Sequence, residues 1–244
     1  MPIALVADVG EPTRLRTLVD VSTTLRLVQQ SVLFQRRVVH AGDVVYRAGE
    51  SFDTLYILNA GICKLVNVSP EGREQIVSIK FRGDWMGFDG IGNGTYSCGA
   101  SALDTGEVWT VRYDALLAAC ARAPGILASL HVAMSRAIVG DRDSLMSVCK
   151  LSADARVAAF LRYWASSLAD RGMRSDRISL PMTRADIGGY LGLTLETVSR
   201  ALSKLARANL IAFNERGRRE ICIPDVDALT AFIQCSVMPQ SATD

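Results

Sequence analysis

The sequence is poor in residues that bind metal ions. It has only two histidines, His40 and His131, in 244 residues. Metal-dependent enzymes built on a β-barrel use clustered histidine and carboxylate ligands, so we expect no enzyme of this kind, and no metal site. None of the six cysteines forms a C-x-x-C pair. In a chain of this length, that pattern indicates reduced, mostly buried thiols rather than a disulfide framework.

The sequence also lacks long apolar runs and an export signal. No stretch approaches 18 consecutive apolar residues, so we expect no membrane-spanning helix. The first residues, MPIALVADVGEPTR, lack a basic region followed by an apolar run. These features predict a cytoplasmic protein. The length of 244 residues suits one large domain or two ordinary ones.

The small net charge of +2 hides an uneven distribution. Residues 151–223 contain 12 Lys/Arg and 7 Asp/Glu, whereas the remainder contains 15 and 18. A basic carboxyl-terminal region beside a mildly acidic remainder favours a module that binds a polyanion.

The residue pattern changes along the chain and predicts five regions. Residues 1–34 have helical spacing of leucine and valine, and 35–123 alternate short β-prone runs with glycine-bearing turns, as in a barrel or sandwich. Positive φ angles are expected at the turns, namely at Gly42, Gly49, Gly61, Gly72 and Gly83. The remaining regions are a long helix over 124–151, a carboxyl-terminal domain over 152–236 and a flexible tail over 237–244.

The long helix begins at Pro124 and carries an apolar stripe over about 25 residues. The stripe consists of Leu127, Leu130, Met134, Ile138, Leu145 and Val148, interrupted by Asp141. We interpret it as a dimer seam; a helix packed on the barrel is the alternative. In a two-fold dimer Asp141 faces its own copy and opposes association, or it lies at the edge of the stripe and reaches the partner's Arg142.

The segment TRADIGGYLGLTLETVSRALSKLARANLI carries the strongest functional signal. Thr183 and Asp186 have capping-box spacing, Gly192 suits a left-handed turn, and Thr194 suits the cap of a second helix. Two helices joined by such a turn predict a helix-turn-helix. An ordinary helical hairpin is the alternative.

The second helix presents Glu196, Ser199 and Arg200 on one face near its amino-terminal end. That end of a recognition helix reaches base edges in the major groove, where Arg pairs with guanine and Glu accepts from cytosine. A hairpin with a basic tip follows, which predicts a wing. Contacts with the DNA backbone are expected from Thr183, Arg184, Thr194, Thr197, Lys204, Arg207, Arg216 and Arg218.

The motifs HAGDVVYRAGE, LYILNAGICKL and TRADIGGYLGLTLETVSR resemble the Crp/Fnr family of bacterial regulators from about Gln35 to Ile223. The resemblance implies an α+β fold: a double-stranded β-helix (cupin-like, as in cyclic-nucleotide-binding domains), a dimerisation helix and a winged helix-turn-helix. It also implies a homodimer that binds double-stranded DNA near TTGAT-N4-ATCAA, with Arg200 on the guanine. An activator of anaerobic or redox-responsive genes, acting with RNA polymerase, is the expected function.

Departures from the family bear on the signal sensed. Residues 1–62 contain no cysteine, and Trp109 stands where Fnr-type sensors have their internal cysteine, so we expect no iron–sulfur cluster. The segment Gly87–Ala102 has no Arg, so we expect no cyclic AMP binding, while another small-molecule effector remains open. Alternatives are a thiol switch at Cys149 or Cys222, haem binding through the two histidines, or an adaptor that binds only proteins.

Overall fold

The computed structural model describes residues 21–69, 72, 74–214 and 217–237. Its helices are α1 (Val21–Ser31), α2 (Gly90–Asn93), α3 (Tyr113–Arg122), α4 (Pro124–Lys150), α5 (Ala153–Ala169), α6 (Arg184–Leu191), α7 (Leu195–Arg207) and α8 (Val226–Val237). Its strands are β1 (Gln35–Val39), β2 (Val44–Tyr46), β3 (Thr54–Ala60), β4 (Cys63–Val68), β5 (Glu74–Lys80), β6 (Trp85–Met86), β7 (Gly99–Ala102), β8 (Gly106–Arg112), β9 (Arg177–Ser179), β10 (Ala212–Asn214) and β11 (Gly217–Cys222).

Strands β1–β8 form the predicted barrel from two antiparallel sheets, ordered β1-β8-β3-β6 and β2-β7-β4-β5. The five turn glycines named above have φ between 79° and 91°, as expected. At Gly61 the requirement is also steric, because a Cβ atom there would lie 2.9 Å from the Gly106 backbone. The predicted α+β architecture is confirmed.

Helices α1, α3 and α4 pack against one side of the barrel. Leu25 and Val28 of α1 are buried in a core with Trp109 and Ile126, while Leu15 and Leu18 of the same predicted helical segment lie outside the described residues. The sequence did not indicate α3, which leads directly into α4. The long helix begins at Pro124, as expected, and has 27 residues.

The carboxyl-terminal domain packs the four helices α5–α8 and a small sheet around a core that contains Trp164, which is fully buried. Ser152 caps α5 by accepting a hydrogen bond from the Ala155 N–H at 3.4 Å. Residues 172–182 contain β9, which the sequence did not indicate and which completes the sheet β10-β11-β9. Ile178 is buried and lies opposite Ile221 in this sheet. A strand of three residues is too short to produce a recognisable alternation, which explains why it was missed.

The barrel and the carboxyl-terminal domain share one hydrophobic core. The rings of Phe81 and Trp164 are 5.1 Å apart in an edge-to-face arrangement, and Val66, Ile76 and Ile79 of the barrel join the same cluster. In the part of the chain that the structure describes, no helix is long and apolar enough to cross a membrane.

Candidate DNA-binding surface

Helix α6 begins at a capping box formed by Thr183 and Asp186. The Thr183 hydroxyl accepts from the Asp186 N–H at 3.0 Å, and an Asp186 carboxylate oxygen accepts from the Thr183 N–H at 2.9 Å. Partial burial raises the pKa of Asp186, but the hydrogen bonds from Thr183 and the charge of Lys64 outweigh it and hold that pKa below its usual value. The carboxylate is therefore charged at neutral pH and holds the first turn.

The turn between α6 and α7 has the predicted geometry. Gly192 adopts φ 65° and ψ 39°, and its N–H donates to the Gly188 carbonyl. Thr194 caps α7 by accepting from the Thr197 N–H at 3.2 Å. The apolar side chains that hold the two helices together are buried, apart from the half-buried Leu193; they are Ile187, Leu191, Val198, Leu202 and Leu205.

The outward face of α7 is accessible and mostly basic. Glu196 and Arg200 are exposed and Ser199 is half-buried. A guanidinium nitrogen of Arg200 donates to the Thr197 hydroxyl at 3.3 Å, which restrains Arg200 near the start of the helix. An open groove of about 360 Å³ continues along this face, lined by Asp154, Ser199, Arg200, Ser203, Lys204 and Arg207.

Two residues of this groove were not singled out from the sequence. Ser203 lies one turn after Ser199, so extending the helical period would have found it. Asp154 comes from α5, and its carboxylate is 2.5 Å from the Lys204 ammonium. No local pattern indicates a contact between residues so far apart in the chain. Lys204 remains 58% exposed and is accessible to a phosphate group.

The predicted wing is present as β10 and β11, next to α6. The Arg184 guanidinium lies 5.9 Å from the Phe213 ring centre, so this predicted phosphate contact also joins α6 to the wing. Arg216 and the side chain of Arg218 lie outside the described residues.

The barrel holds α6 directly. Lys64 of β4 is 3.6 Å from the Asp186 carboxylate, and the Gln75 side chain of β5 donates to the Gly189 carbonyl. These contacts fix the helix that supports α7 against a rigid sheet.

Helix α4 has an apolar face that the protomer leaves uncovered. Leu127, Ile138, Leu145 and Val148 of the predicted seam are each at least 40% exposed. Leu130 is a correction: it is 5% exposed and lies in the core with α1 and the barrel, because the first turns of α4 pack against its own protomer. Two further apolar side chains, Val139 and Met146, widen the exposed face.

Met134 and Asp141 are the two remaining positions of the predicted seam. Met134 is partly buried against the core that contains Leu130. Asp141 is exposed, and its negative charge acts on Tyr190 of α6. Burial raises the pKa of Tyr190 in α6, and the negative charge of Asp141 raises it further.

Aromatic side chains fill the barrel interior. Tyr46 and Tyr96 are 2% and 3% exposed, with ring centres 4.4 Å apart, and Tyr56 stacks on Tyr46 at 4.9 Å. The half-buried Asp89 carboxylate accepts hydrogen bonds from the N–H groups of Ser97 and Cys98.

The cysteines and histidines are dispersed. Cys63, Cys98 and Cys120 are buried, Cys222 is half-buried, and Cys149 and Cys235 are exposed. Burial raises the pKa of Cys63 to about 12, which keeps this thiol protonated. His40 follows β1 and His131 lies on α4, and both are exposed. Among the described residues, no group of three or more His, Cys, Asp or Glu side chains is placed to hold a metal ion.

Comparison with known proteins supports this description of two domains. Residues 36–123 match the cyclic nucleotide-binding domain family, and residues 155–232 match the Crp-like helix-turn-helix domain family. The chain is 32% identical over 201 residues to the fumarate and nitrate reduction regulatory protein of Salmonella typhimurium, which covers 82% of this chain and 79% of the relative. The protein of the same name from Yersinia pestis is 33% identical over 182 residues, or 75% of this chain and 73% of the relative.

A solved structure has the same architecture. FixK2 from Bradyrhizobium japonicum superposes with a TM-score of 0.73 at 26% identity, covering 86% of this chain and all of FixK2.

Proposed function

Because the chain belongs to the Crp/Fnr family of DNA-binding transcription regulators, we propose that it binds a palindrome close to TTGAT-N4-ATCAA as a homodimer and activates transcription with RNA polymerase. The observation that carries the proposal is the exposed face of α7, where Glu196, Ser199 and Arg200 follow a capped helix start. Arginine at this place can pair with both acceptors of a guanine.

The exposed face of α4 supports the homodimer. Apolar side chains on several successive turns of one helix are costly to leave in water, and a second copy of the same helix covers them symmetrically. Two recognition helices in such a dimer reach half-sites one DNA turn apart, about 34 Å.

The direct experiment is a binding titration of the aerobically purified protein on the TTGAT-N4-ATCAA duplex and on a scrambled duplex at one salt concentration. We expect tight binding to the palindrome alone and no visible absorption band. Equal affinity for both duplexes would refute the proposed target, and a visible chromophore would refute the absence of a coloured cofactor.

Replacing the guanine-reading arginine provides the second test. Arg200→Ala should cost about 1–3 kcal/mol of binding free energy and relax the preference at the guanine position. Lys204→Ala is the matched control on the same helix, since losing a phosphate contact weakens binding equally across sequences and lowers the salt dependence. Unchanged specificity in Arg200→Ala, measured on duplexes altered at that base pair, would contradict the assigned role.

The charge of Asp141 provides a third test. If the two copies of this carboxylate face each other across the seam, Asp141→Ala should strengthen dimerisation, because like charges oppose association. Sedimentation velocity over a concentration series measures the effect. An unchanged or weaker dimer would place Asp141 at the edge of the seam in water.

We further propose that this regulator uses neither an iron–sulfur cluster nor cyclic AMP. A cluster needs four thiolate ligands. Trp109 stands where Fnr-type sensors have their internal cysteine, and it is buried with its indole N–H donating to Glu107 at 2.6 Å. We expect no cyclic nucleotide in the barrel, because Tyr46 and Tyr96 pack against each other in its core and the segment Gly87–Ala102 contains no Arg or Lys for the phosphate.

Control by thiol oxidation is the second candidate, and the exposure of Cys149 favours it. This thiol lies in the last turn of α4, next to the exposed apolar face. Dimerisation and DNA affinity that respond to a thiol oxidant in the native protein, but not in Cys149→Ser, would support it. Haem binding has no comparable support, since both histidines are surface residues.

A further inference from the structure

A second cavity, open to solvent, lies outside the barrel, between α1 and the sheet β1-β8-β3-β6. It has a volume of about 320 Å³ and is lined by Ser22, Leu25, Arg26, Gln29, Arg36, Asn59, Arg82, Glu107 and Trp109. None of its lining residues belongs to α4, α6, α7 or the wing, so neither the proposed base reading nor the proposed dimerisation uses the cavity.

Its lining is basic. Three guanidinium groups, those of Arg26, Arg36 and Arg82, share the cavity with a single carboxylate, that of Glu107. One oxygen of this carboxylate already accepts from the Asn59 amide at 2.9 Å and from the Trp109 indole at 2.6 Å. Among the described residues, none of the three arginines forms a salt bridge within 4.0 Å, whereas Arg171, close by, pairs with Asp84.

The arginines are held so that their charges remain available. Arg36 lies over the rings of Phe34 and Trp109, at 5.6 and 5.9 Å from their centres. Arg82 donates from Nε to the Asn59 carbonyl at 3.1 Å. Arg26 donates to the Ser22 carbonyl at 3.3 Å and to the Thr23 hydroxyl at 3.4 Å within α1. Each of the three guanidinium groups keeps further N–H donors for a ligand with several acceptor oxygens.

We propose that this cavity binds a small phosphate-bearing anion and that its occupancy alters DNA binding; the second part depends on the proposed function. Arginine pairs bidentately with phosphate oxygens, and the amides of Asn59 and Gln29 add donors at the cavity wall. An excess of two positive charges among the described lining residues suits a dianion or trianion.

The cavity connects with the DNA-binding domain through the turn from Phe81 to Asp84. The Arg82 carbonyl accepts from Arg171 Nε at 2.7 Å, and Arg171 also contacts the Asp84 carboxylate at 2.6 Å. Arg171 follows α5, which packs against α7. A ligand that moves the Arg82 side chain therefore shifts a turn that is in direct contact with the DNA-binding domain.

Helix α1 provides a second connection. A Cβ atom at Gly83 would lie 2.4 Å from a Val21 methyl group, so the start of α1 rests directly on this turn. Leu27 of the same helix approaches Gly125 at the start of α4. An anion between α1 and the sheet thus contacts the element that lies against the dimerisation helix.

The test is calorimetric titration of the full-length protein with pyrophosphate, with citrate as a second probe of similar charge. We expect pyrophosphate to bind, and Arg26→Gln/Arg36→Gln to weaken it about tenfold or more, since each change removes charge-assisted hydrogen bonds. Arg47→Gln is the matched control, because Arg47 is an exposed barrel arginine outside the cavity. Arg26→Gln alone, on the exposed side of α1, covers the case in which the double variant fails to fold.

Absence of pyrophosphate binding, or equal binding by the native protein and Arg26→Gln, would overturn the site. Binding of citrate but not pyrophosphate would overturn the phosphate class. A parallel DNA titration at constant ionic strength should show a change of affinity with pyrophosphate in the native protein that the double variant lacks; unchanged affinity would overturn the coupling. Since the calorimetry contains no DNA, a wrong target sequence leaves its result unaffected.

Discussion

Gly188→Val should disable the helix-turn-helix while leaving the barrel folded. A Cβ atom at Gly188 would lie 2.5 Å from the Leu193 carbonyl oxygen, and this backbone cannot move aside because the Leu193 N–H donates to the Gly188 carbonyl at 2.9 Å. A larger side chain must therefore push α6 away from the start of α7. We expect a loss of at least about 2 kcal/mol in unfolding free energy, from overpacking, and a loss of at least about tenfold in specific DNA affinity.

Gly189→Val is the matched control. Gly189 is the next residue of the same helix, and nothing lies within 4 Å of the Cβ it would acquire. Both substitutions change helix propensity equally, so the difference between them isolates the contact with Leu193. Chemical denaturation and titration of the palindromic duplex measure the two quantities. Equal stability and equal DNA affinity in the two variants would show that the turn tolerates a side chain.

The helix-turn-helix could be predicted in detail because its determinants are local. Thr183, Asp186, Gly192 and Thr194 each act on backbone within four residues, so their spacing in the sequence fixes the caps and the turn. The glycines of the barrel turns were predictable for the same reason. Their φ angles depend on the turn and not on what packs against it.

Features that depend on distant residues could not be predicted. Leu130 lies on the same sequence stripe as Ile138, and only the packing of α4 against α1 and the barrel determines that Leu130 is covered by its own protomer. The cavity arginines come from α1, β1 and the turn after β5, so no segment of the sequence contains their pattern. The pair between Lys204 and Asp154 joins residues 50 positions apart. Periodicity reports which residues share a face, but not what that face contacts.

Ile138→Asp should dissociate the proposed dimer. Ile138 is 51% exposed near the middle of α4, among the apolar side chains that we assign to the seam. In a symmetric dimer the substitution places two carboxylates in an apolar contact, which costs desolvation and adds repulsion. We expect the dimer dissociation constant to rise at least about hundredfold. Sedimentation velocity over a concentration series measures this constant.

Ile138→Asp should also lower the affinity for the full palindrome. Two linked recognition helices bind two half-sites with an effective concentration that separate monomers lack, so a half-site duplex should lose much less affinity than the palindrome. Leu117→Asp on α3 is the matched control, because Leu117 is a helical leucine with 48% exposure outside the seam. If the dimer withstands Ile138→Asp, or dissociates equally in Leu117→Asp, then α4 is not the dimer interface. The exposed apolar face would then need a different partner.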